Sequence, residues 1–326
     1  MSVLKQEEIK KPIQKELKLF DKYFASSIKS NSPLLDVVTR FILRHKGKQM
    51  RPMFVFLTTK MLGEVQESTY VAATLIELLH TATLIHDDVV DESFERRSFF
   101  TINALWKSKV AVLTGDYLLA KGLLLTIENK NYDMLEIVSE AVKEMSEGEL
   151  YQMQKARRLN INEENYFKII RKKTASLFAA CTACGARAVT TDANTITLMK
   201  TFGEAVGIAF QIKDDIFDYQ NNGITGKPMG NDLREKKLTL PVIYALSNAS
   251  PNEKHRILHA IKNVGKTRKN ILSILNFVND MKGIEYAEKK MSEYKDKALS
   301  VLNNFPDNPA KKSLQQMVEY TVVRHK

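Results

Sequence analysis

The chain has 326 residues, 44% of them hydrophobic and 27% charged, which fits a globular fold with a large core and excludes disordered and fibrous classes. Glycine (13) and proline (8) are scarce, and no proline falls between Pro52 and Pro228. A β-sandwich or a string of βαβ units needs more turn residues than that, so an all-α fold is predicted. Lys and Arg outnumber Asp and Glu 49 to 38, a net charge of +11. Residues 1–60 hold 13 basic and 5 acidic residues (net +8), residues 254–326 hold 15 and 7 (net +8), and the middle, 61–253, is left at −5. An acidic centre between basic flanks suits metal cations held centrally and anions drawn in from the sides, and suits nucleic acid poorly.

Apolar periodicity predicts helices over 3–29, 34–45, 52–63, 69–91, 111–128, 132–155, 163–189, 194–220, 238–249, 252–263, 267–280, 283–303 and 308–323. The longest irregular piece, 221–237, carries Gly223, Gly226, Pro228 and Gly230, and a loop of that length in a helical protein usually serves function. No Ser/Pro-rich linker divides the chain, so a single domain over 1–326 is expected. The start, MSVLKQEEIKK, lacks the apolar core of a signal peptide. The most apolar stretch, Val110 to Ile127, contains Asp116 and Lys121 and is not a clean membrane span. Two cysteines, Cys181 and Cys184, imply a fold independent of disulfides and a cytoplasmic setting.

Two aspartate clusters echo each other 127 residues apart: Asp87-Asp88-Val-Val-Asp91 and Asp214-Asp215-Ile-Phe-Asp218. On an α-helix, i and i+4 lie only ~40° apart in azimuth and ~6 Å apart along the axis. Asp87 with Asp91, and Asp214 with Asp218, can therefore each grip a cation. Carboxylate oxygens suit Mg²⁺ or Mn²⁺, and Mg²⁺ keeps waters and phosphate oxygens in its shell. A single cluster reads equally well as a solvated acidic face. Two matching clusters, each unfavourable at the end of an apolar helix, read as a clamp for a Mg–diphosphate complex. Upstream of Asp87, one helix stripe holds His80, Thr83, Leu79 and Ile76, which describes a slot charged at its mouth and greasy below. Gly207, Gln211, Asp214 or Asp215, and Asp218 form a similar stripe. Basic groups suited to a second anion occur at Lys46-Gly-Lys48-Gln-Met-Arg51-Pro52, Arg96-Arg97, Lys172-Lys173-Thr174, Lys227 and Lys236-Lys237.

With these segments the sequence resembles the trans-isoprenyl diphosphate synthases, the polyprenyl synthetase family. The resemblance rests on Gly47-Lys48-x-x-Arg51-Pro52; His80 through Asp91 with Arg96-Arg97; Gly115-Asp116-Tyr117; Glu147-Gly148-Glu149 with Gln152; and Lys173-Thr174. It continues through Phe210-Gln211-Ile-Lys-Asp-Asp-Ile-Phe-Asp218, Gly226-Lys227-Pro228-x-Gly230-x-Asp232 and Lys237-Leu-Thr-Leu-Pro241, all in family order. Lys46, Gln49, Ser98 and Lys236 depart from the family pattern, but none of them is a presumed metal ligand. The resemblance implies an antiparallel helical bundle around a central cavity, the isoprenoid synthase type, acting as a homodimer. It implies a prenyltransferase in which Asp87, Asp91 and Asp214 hold Mg²⁺, with Asp88 and Asp218 supporting the metal site. Arg96, Lys173, Gln211, Lys227 and Lys237 would contact the allylic diphosphate (farnesyl or geranylgeranyl), with Thr174 beside the reacting carbon. Lys48, Arg51, His80 and Arg97 would hold isopentenyl diphosphate. About three Mg²⁺ per active site, replaceable by Mn²⁺, would stabilise the charge on the departing diphosphate.

Ala82 and Thr83 are small at the positions where short-chain members of the family carry aromatic residues. A helix turn of ~5.4 Å is close to one isoprene unit, so an open slot towards Leu79 and Ile76 predicts a product of roughly thirty carbons or more, as used in quinone side chains. Leu123, Leu124 and Leu125 are candidates for the slot's floor. The alternatives are a farnesyl or geranylgeranyl synthase, a terpene cyclase, a phosphohydrolase using His80 and His86-Asp87, a non-catalytic synthase subunit, and a basic helical binding module. Cys181-x-x-Cys184 reads as buried small residues, and His255 with His259 as a solvated face. The basic helices 3–22 and 284–297 read as solvated faces, with transient membrane contact a lesser reading.

Overall fold

The computed structural model describes residues 3–45, 47–96, 99–159, 161–219, 231–235, 237–263 and 268–323. In chain order the helices are α1 (Val3–Lys10), α2 (Gln14–Ser27), α3 (Pro33–Arg44), α4 (Met50–Leu62) and α5 (Glu67–Val90). A two-residue strand pair, β1 (Glu95–Arg96) and β2 (Phe99–Phe100), runs antiparallel with Glu95 opposite Phe100. Then come α6 (Ile102–Glu128), α7 (Tyr132–Arg158), α8 (Glu163–Ile170), α9 (Ser176–Arg187) and α10 (Ala193–Phe217). The series ends with α11 (Asn231–Arg234), α12 (Leu240–Ser247), α13 (Pro251–Lys262), α14 (Arg268–Asp280), α15 (Gly283–Leu302) and α16 (Pro309–Val323).

Local chemistry sets the ends of these helices. Asp192 accepts from the Thr195 backbone N–H at 2.9 Å and starts α10, and Ser250 with Glu253 forms a capping box ahead of Pro251 in α13. The first predicted helix, 3–29, is broken at Lys11–Ile13, because Pro12 has no N–H to donate. The helix predicted from 111 starts at Ile102, capped by Thr101. It is interrupted at Lys107 (φ 71°, ψ 162°), and periodicity picked out only the regular part beyond that break.

α10 is the spine of the core. Its first half, with Met199, Phe202 and Val206, packs into an apolar cluster with α4, α5 and α9. Its second half, with Ile208, Ile212 and Ile216, packs into another with α12 to α15. α9 is buried from Ser176 to Ala186, which includes both cysteines. Burial pushes the Cys181 thiol up to about 12 and raises Cys184 further, so both are neutral and inert near pH 7. α5 and α6 are each long and apolar enough to cross a membrane by length and composition. α5 is mostly buried inside the bundle, whereas α6 turns Val112, Leu113, Leu123, Leu124 and Ile127 outward.

Candidate active site

α5 ends in the first aspartate cluster. Asp87 and Asp91 are exposed, and the Asp91 N–H closes the helix on the Asp87 carbonyl at 2.8 Å. The surrounding protein still desolvates the Asp87 carboxyl and raises its pKa. Lys173 and Arg96 oppose that rise, while Glu149 and Asp91 add to it. Asp88, one residue on, points away and is only 6% exposed. The Arg96 guanidinium holds it through Nε and Nη2, both at 2.8 Å from Oδ1. Burial outweighs this pairing and leaves the Asp88 carboxyl above its usual range.

The opposite wall is a π-helical turn, Arg171–Ala175, inserted between α8 and α9. Such a turn re-aims side chains within an otherwise regular helix and is common at functional sites. Here it carries Lys173 and Thr174. Lys173 Nζ donates to Gln152 Oε1 at 3.1 Å and pairs with Glu149, both on α7. Gly148 makes this approach feasible, since a Cβ there would lie 2.9 Å from both Lys172 Cβ and the Lys173 backbone nitrogen. Thr174 Oγ1 donates to Gln211 Oε1 on α10 at 2.7 Å.

The second aspartate cluster ends α10. Asp215 is 4% exposed, and its two oxygens accept from Tyr166 Oη (2.7 Å) and Gln211 Nε2 (2.8 Å). Burial and the nearby charge of Asp232 push Asp215 up to about 8, against these two hydrogen bonds. Asp214 and Asp218 are half-buried, and Asp218 Oδ2 accepts from the Asp232 N–H at 3.1 Å. Burial lowers Lys237, but its bond to Glu235 and the charges of Asp232 and Asp91 outweigh this and hold its ammonium above its usual value. Lys237 therefore bridges electrostatically from the first cluster to the chain beyond the second, as Lys173 bridges from Asp87 to the Thr174–Gln211 pair. Between them lies a cavity lined by Tyr166, Lys173, Thr174, Gln211, Asp215 and Lys237.

This arrangement has counterparts among known proteins. The polyprenyl synthetase family profile matches residues 32–278. The octaprenyl diphosphate synthase of Escherichia coli (strain K12) is 34% identical over 298 residues, which cover 91% of this chain and 92% of that protein. The chain belongs to the polyprenyl synthetase family. Among solved structures, a decaprenyl diphosphate synthase from Rhodobacter capsulatus superposes with a TM-score of 0.91 at 31% identity, covering 98% of this chain and all of that one. A geranylgeranyl pyrophosphate synthase from Bacteroides thetaiotaomicron has a TM-score of 0.85 at 38% identity over 99% and 100% of the two chains.

Six of the expected site residues lie near one another. Asp87, Asp91, Lys173, Thr174, Gln211 and Lys237 are linked by the contacts and charges described above. Lys48 lies 5.8 Å from the Tyr320 ring centroid and donates to its hydroxyl at 3.2 Å. The Arg51 guanidinium sits 5.5 Å from the Phe178 ring, which in turn contacts Phe210 beside Gln211. His80 is half-buried, and its carbonyl accepts from Thr83 Oγ1 at 2.9 Å. Arg97 and Lys227, with Lys46, Ser98, Lys236 and most of the 221–237 loop, lie outside the described residues.

Several placements differ from what the sequence suggests. Asp88 is not presented as a metal ligand, because a buried carboxylate needs a partner and Arg96 supplies it. Arg96 makes that contact while its charge also reaches Asp87. Leu123 and Leu124 do not floor the slot. They are 46% and 53% exposed on the outer face of α6, and Leu125 is half-buried. His86 sits against Gly115, within 3.5 Å of Asp116 and 3.2 Å of the Val112 carbonyl, so it serves α6 and is not a phosphohydrolase ligand. Sequence reasoning missed Tyr166 and Tyr320, which contact Asp215 and Lys48 across 49 and 272 residues.

Among the described residues, no three carboxylate, His or Cys side chains converge tightly enough to hold an ion alone. The donor set nevertheless fits Mg²⁺, which takes one or two carboxylates and completes its shell with water and phosphate oxygens. Asp87 and Asp91 add repulsion to one another, and a cation between them would relieve it.

Proposed function

We propose that this chain catalyses the Mg²⁺-dependent head-to-tail condensation of isopentenyl diphosphate onto an allylic diphosphate, giving an all-trans polyprenyl diphosphate of roughly thirty carbons or more. One observation carries the reading. Two aspartate clusters stand on different helices, with Lys173 acting on Asp87, Lys237 acted on by Asp91 and Asp232, and the Thr174–Gln211 pair beside Lys173. Asp87, Asp91 and Asp214 would hold the metal ions, about three per site, which neutralise charge as the allylic C–O bond breaks. Asp218 would steady that set while capping α11.

Lys173 and Lys237, with Lys227, bind the allylic diphosphate and take up negative charge as it departs. Thr174, donating its proton to Gln211, turns its oxygen towards the carbon that becomes electron-poor. Lys48 and Arg51, with His80 and Arg97, hold isopentenyl diphosphate, whose double bond attacks that carbon. The proton lost afterwards passes to the departing diphosphate. The apolar stripe below Asp87 excludes water from the cation.

The reading of a long product rests on the small side chains of Thr83 and Ala82, one turn before Asp87. Ala82 is fully buried and Thr83 half-buried, with Leu79 (6% exposed) and Ile76 (buried) beneath. Farnesyl or geranylgeranyl diphosphate is the primer that this slot accommodates. The outward apolar stripe of α6, from Val112 to Ile127, is the surface we assign to a homodimer. With two inert buried thiols, the protein suits a cytoplasmic setting. Measured with isopentenyl diphosphate and farnesyl diphosphate, Asp87→Asn and Asp214→Asn lower turnover at least about 100-fold while the fold is kept. Turnover within a few-fold of the parent chain would refute the assignment.

A further inference from the structure

Tyr166, on α8, is 3% exposed and lies among Ile208, Ile212 and Ile216. A buried tyrosine hydroxyl needs a partner, and here it is Asp215, to whose Oδ2 it donates at 2.7 Å. From that bond a line of contacts runs along the cavity wall to Thr174. Asp215 Oδ1 accepts from Gln211 Nε2 at 2.8 Å, and Gln211 Oε1 accepts from Thr174 Oγ1 at 2.7 Å.

The polarity of this line matters. A glutamine amide fits its site in two nearly isosteric orientations, with NH₂ and oxygen exchanged. In the structure Nε2 faces Asp215 Oδ1 and Oε1 faces Thr174, the orientation that Asp215 enforces in its ionised form, when both of its oxygens accept. Thr174 must then spend its one proton on Gln211, and its lone pairs are left for the cavity. With the amide reversed, Thr174 would accept from NH₂ and present a positive O–H to the same space. The two orientations thus place opposite signs beside a carbon that becomes cationic.

We propose that Tyr166 is a positioning residue for the condensation. By anchoring one oxygen of Asp215, it fixes the Gln211 amide and so aims a lone pair of Thr174 at the reacting carbon. This rests on the condensation proposed above.

The test is a set of variants measured for kcat, for binding of a non-ionising thiolo analogue of farnesyl diphosphate, and for unfolding of the ligand-free protein. Tyr166→Phe lowers kcat about tenfold or more. It leaves the analogue's Kd within about twofold, because the ground state is bound by diphosphate contacts and not by the Thr174 lone pair. In a Thr174→Ser background, which keeps the hydroxyl, the tenfold loss persists. In a Thr174→Val background, Tyr166→Phe changes kcat less than about twofold, because the group it aims is gone. Gln211→Met, which removes the amide at similar length, shows the same dependence on Thr174 and stands in if Tyr166→Phe does not fold. Equal losses in the Ser and Val backgrounds would overturn the positioning role, as would no loss from Tyr166→Phe. If the unaltered chain gives no condensation, the reaction assignment fails and the positioning role with it, which is distinguishable from either of those results.

Discussion

The close approach of α7 to the π-helical turn makes Gly148→Ala an informative change. An added Cβ would meet Lys172 Cβ and the Lys173 backbone nitrogen at 2.9 Å. Relaxed carbon contacts lie at about 3.5–4.0 Å, so the turn or α7 must move by roughly 0.6–1 Å. Overpacking of this kind costs about 1–3 kcal/mol, and replacing a mid-helix glycine by alanine returns about 1 kcal/mol of helix propensity. The net loss of stability is at most about 2 kcal/mol. The atoms displaced carry Lys173 and Thr174, and a shift approaching 1 Å at reacting groups lowers kcat by about 10–100-fold. Gly122→Ala is the control. Its Cβ would meet the tip of the Leu75 side chain at 3.1 Å, which can rotate away, with Leu78 at 3.8 Å. Thermal unfolding and steady-state condensation on both variants separate the effects. Gly122→Ala should retain kcat and near-parental stability, while Gly148→Ala loses activity out of proportion to stability. A kcat for Gly148→Ala within twofold of the parent, or an equal loss in Gly122→Ala, would refute the reasoning.

Thr83→Phe places a ring one helical turn below Asp87 and should shorten the main product by several isoprene units, read by mass spectrometry; an unchanged distribution would remove Thr83 from the slot, and Ala82→Phe should act in the same direction. Arg96→Ala leaves Asp88 buried without its cation and, with Arg96 39% exposed, should cost about 1–3 kcal/mol near neutral pH. Arg96 favours the charged form of Asp88 against burial, so the deficit should shrink as pH falls through the Asp88 pKa and the carboxyl takes a proton; a pH-independent deficit in denaturant unfolding would contradict this. Cys181 and Cys184 should resist thiol reagents at pH 7–8 in the native protein and react fully after denaturation, because burial keeps both thiols protonated; rapid native-state labelling would reopen a redox reading.

What the sequence revealed follows from the range of the interactions involved. The two aspartate clusters and the stripe from Leu79 to Asp87 are features of single helices, and i, i+4 spacing alone places them. The Lys48–Tyr320 and Tyr166–Asp215 contacts join distant segments, and a lone tyrosine on an apolar face carries no sign of its partner. The π-helical turn at Arg171–Ala175 contains no glycine or proline to mark it, so nothing in the sequence separates it from the helix predicted over 163–189. Strands of two residues are too short for alternation to reveal. Leu123 and Leu124 are apolar but point outward, because periodicity gives the phase within α6 and not which neighbour covers each side. Asp88 shares its motif with Asp87, yet one residue is a rotation of about 100°, enough to turn it from the cavity rim into the Arg96 pair.

The reaction itself is tested most directly by mass spectrometry of the products formed from isopentenyl diphosphate and farnesyl diphosphate, with Mg²⁺ and with EDTA. The account predicts a metal-dependent ladder of five-carbon increments ending in a polyprenyl diphosphate of roughly thirty carbons or more. Folded protein that leaves farnesyl and geranylgeranyl primers unextended in Mg²⁺, or that extends them equally in EDTA, would contradict it.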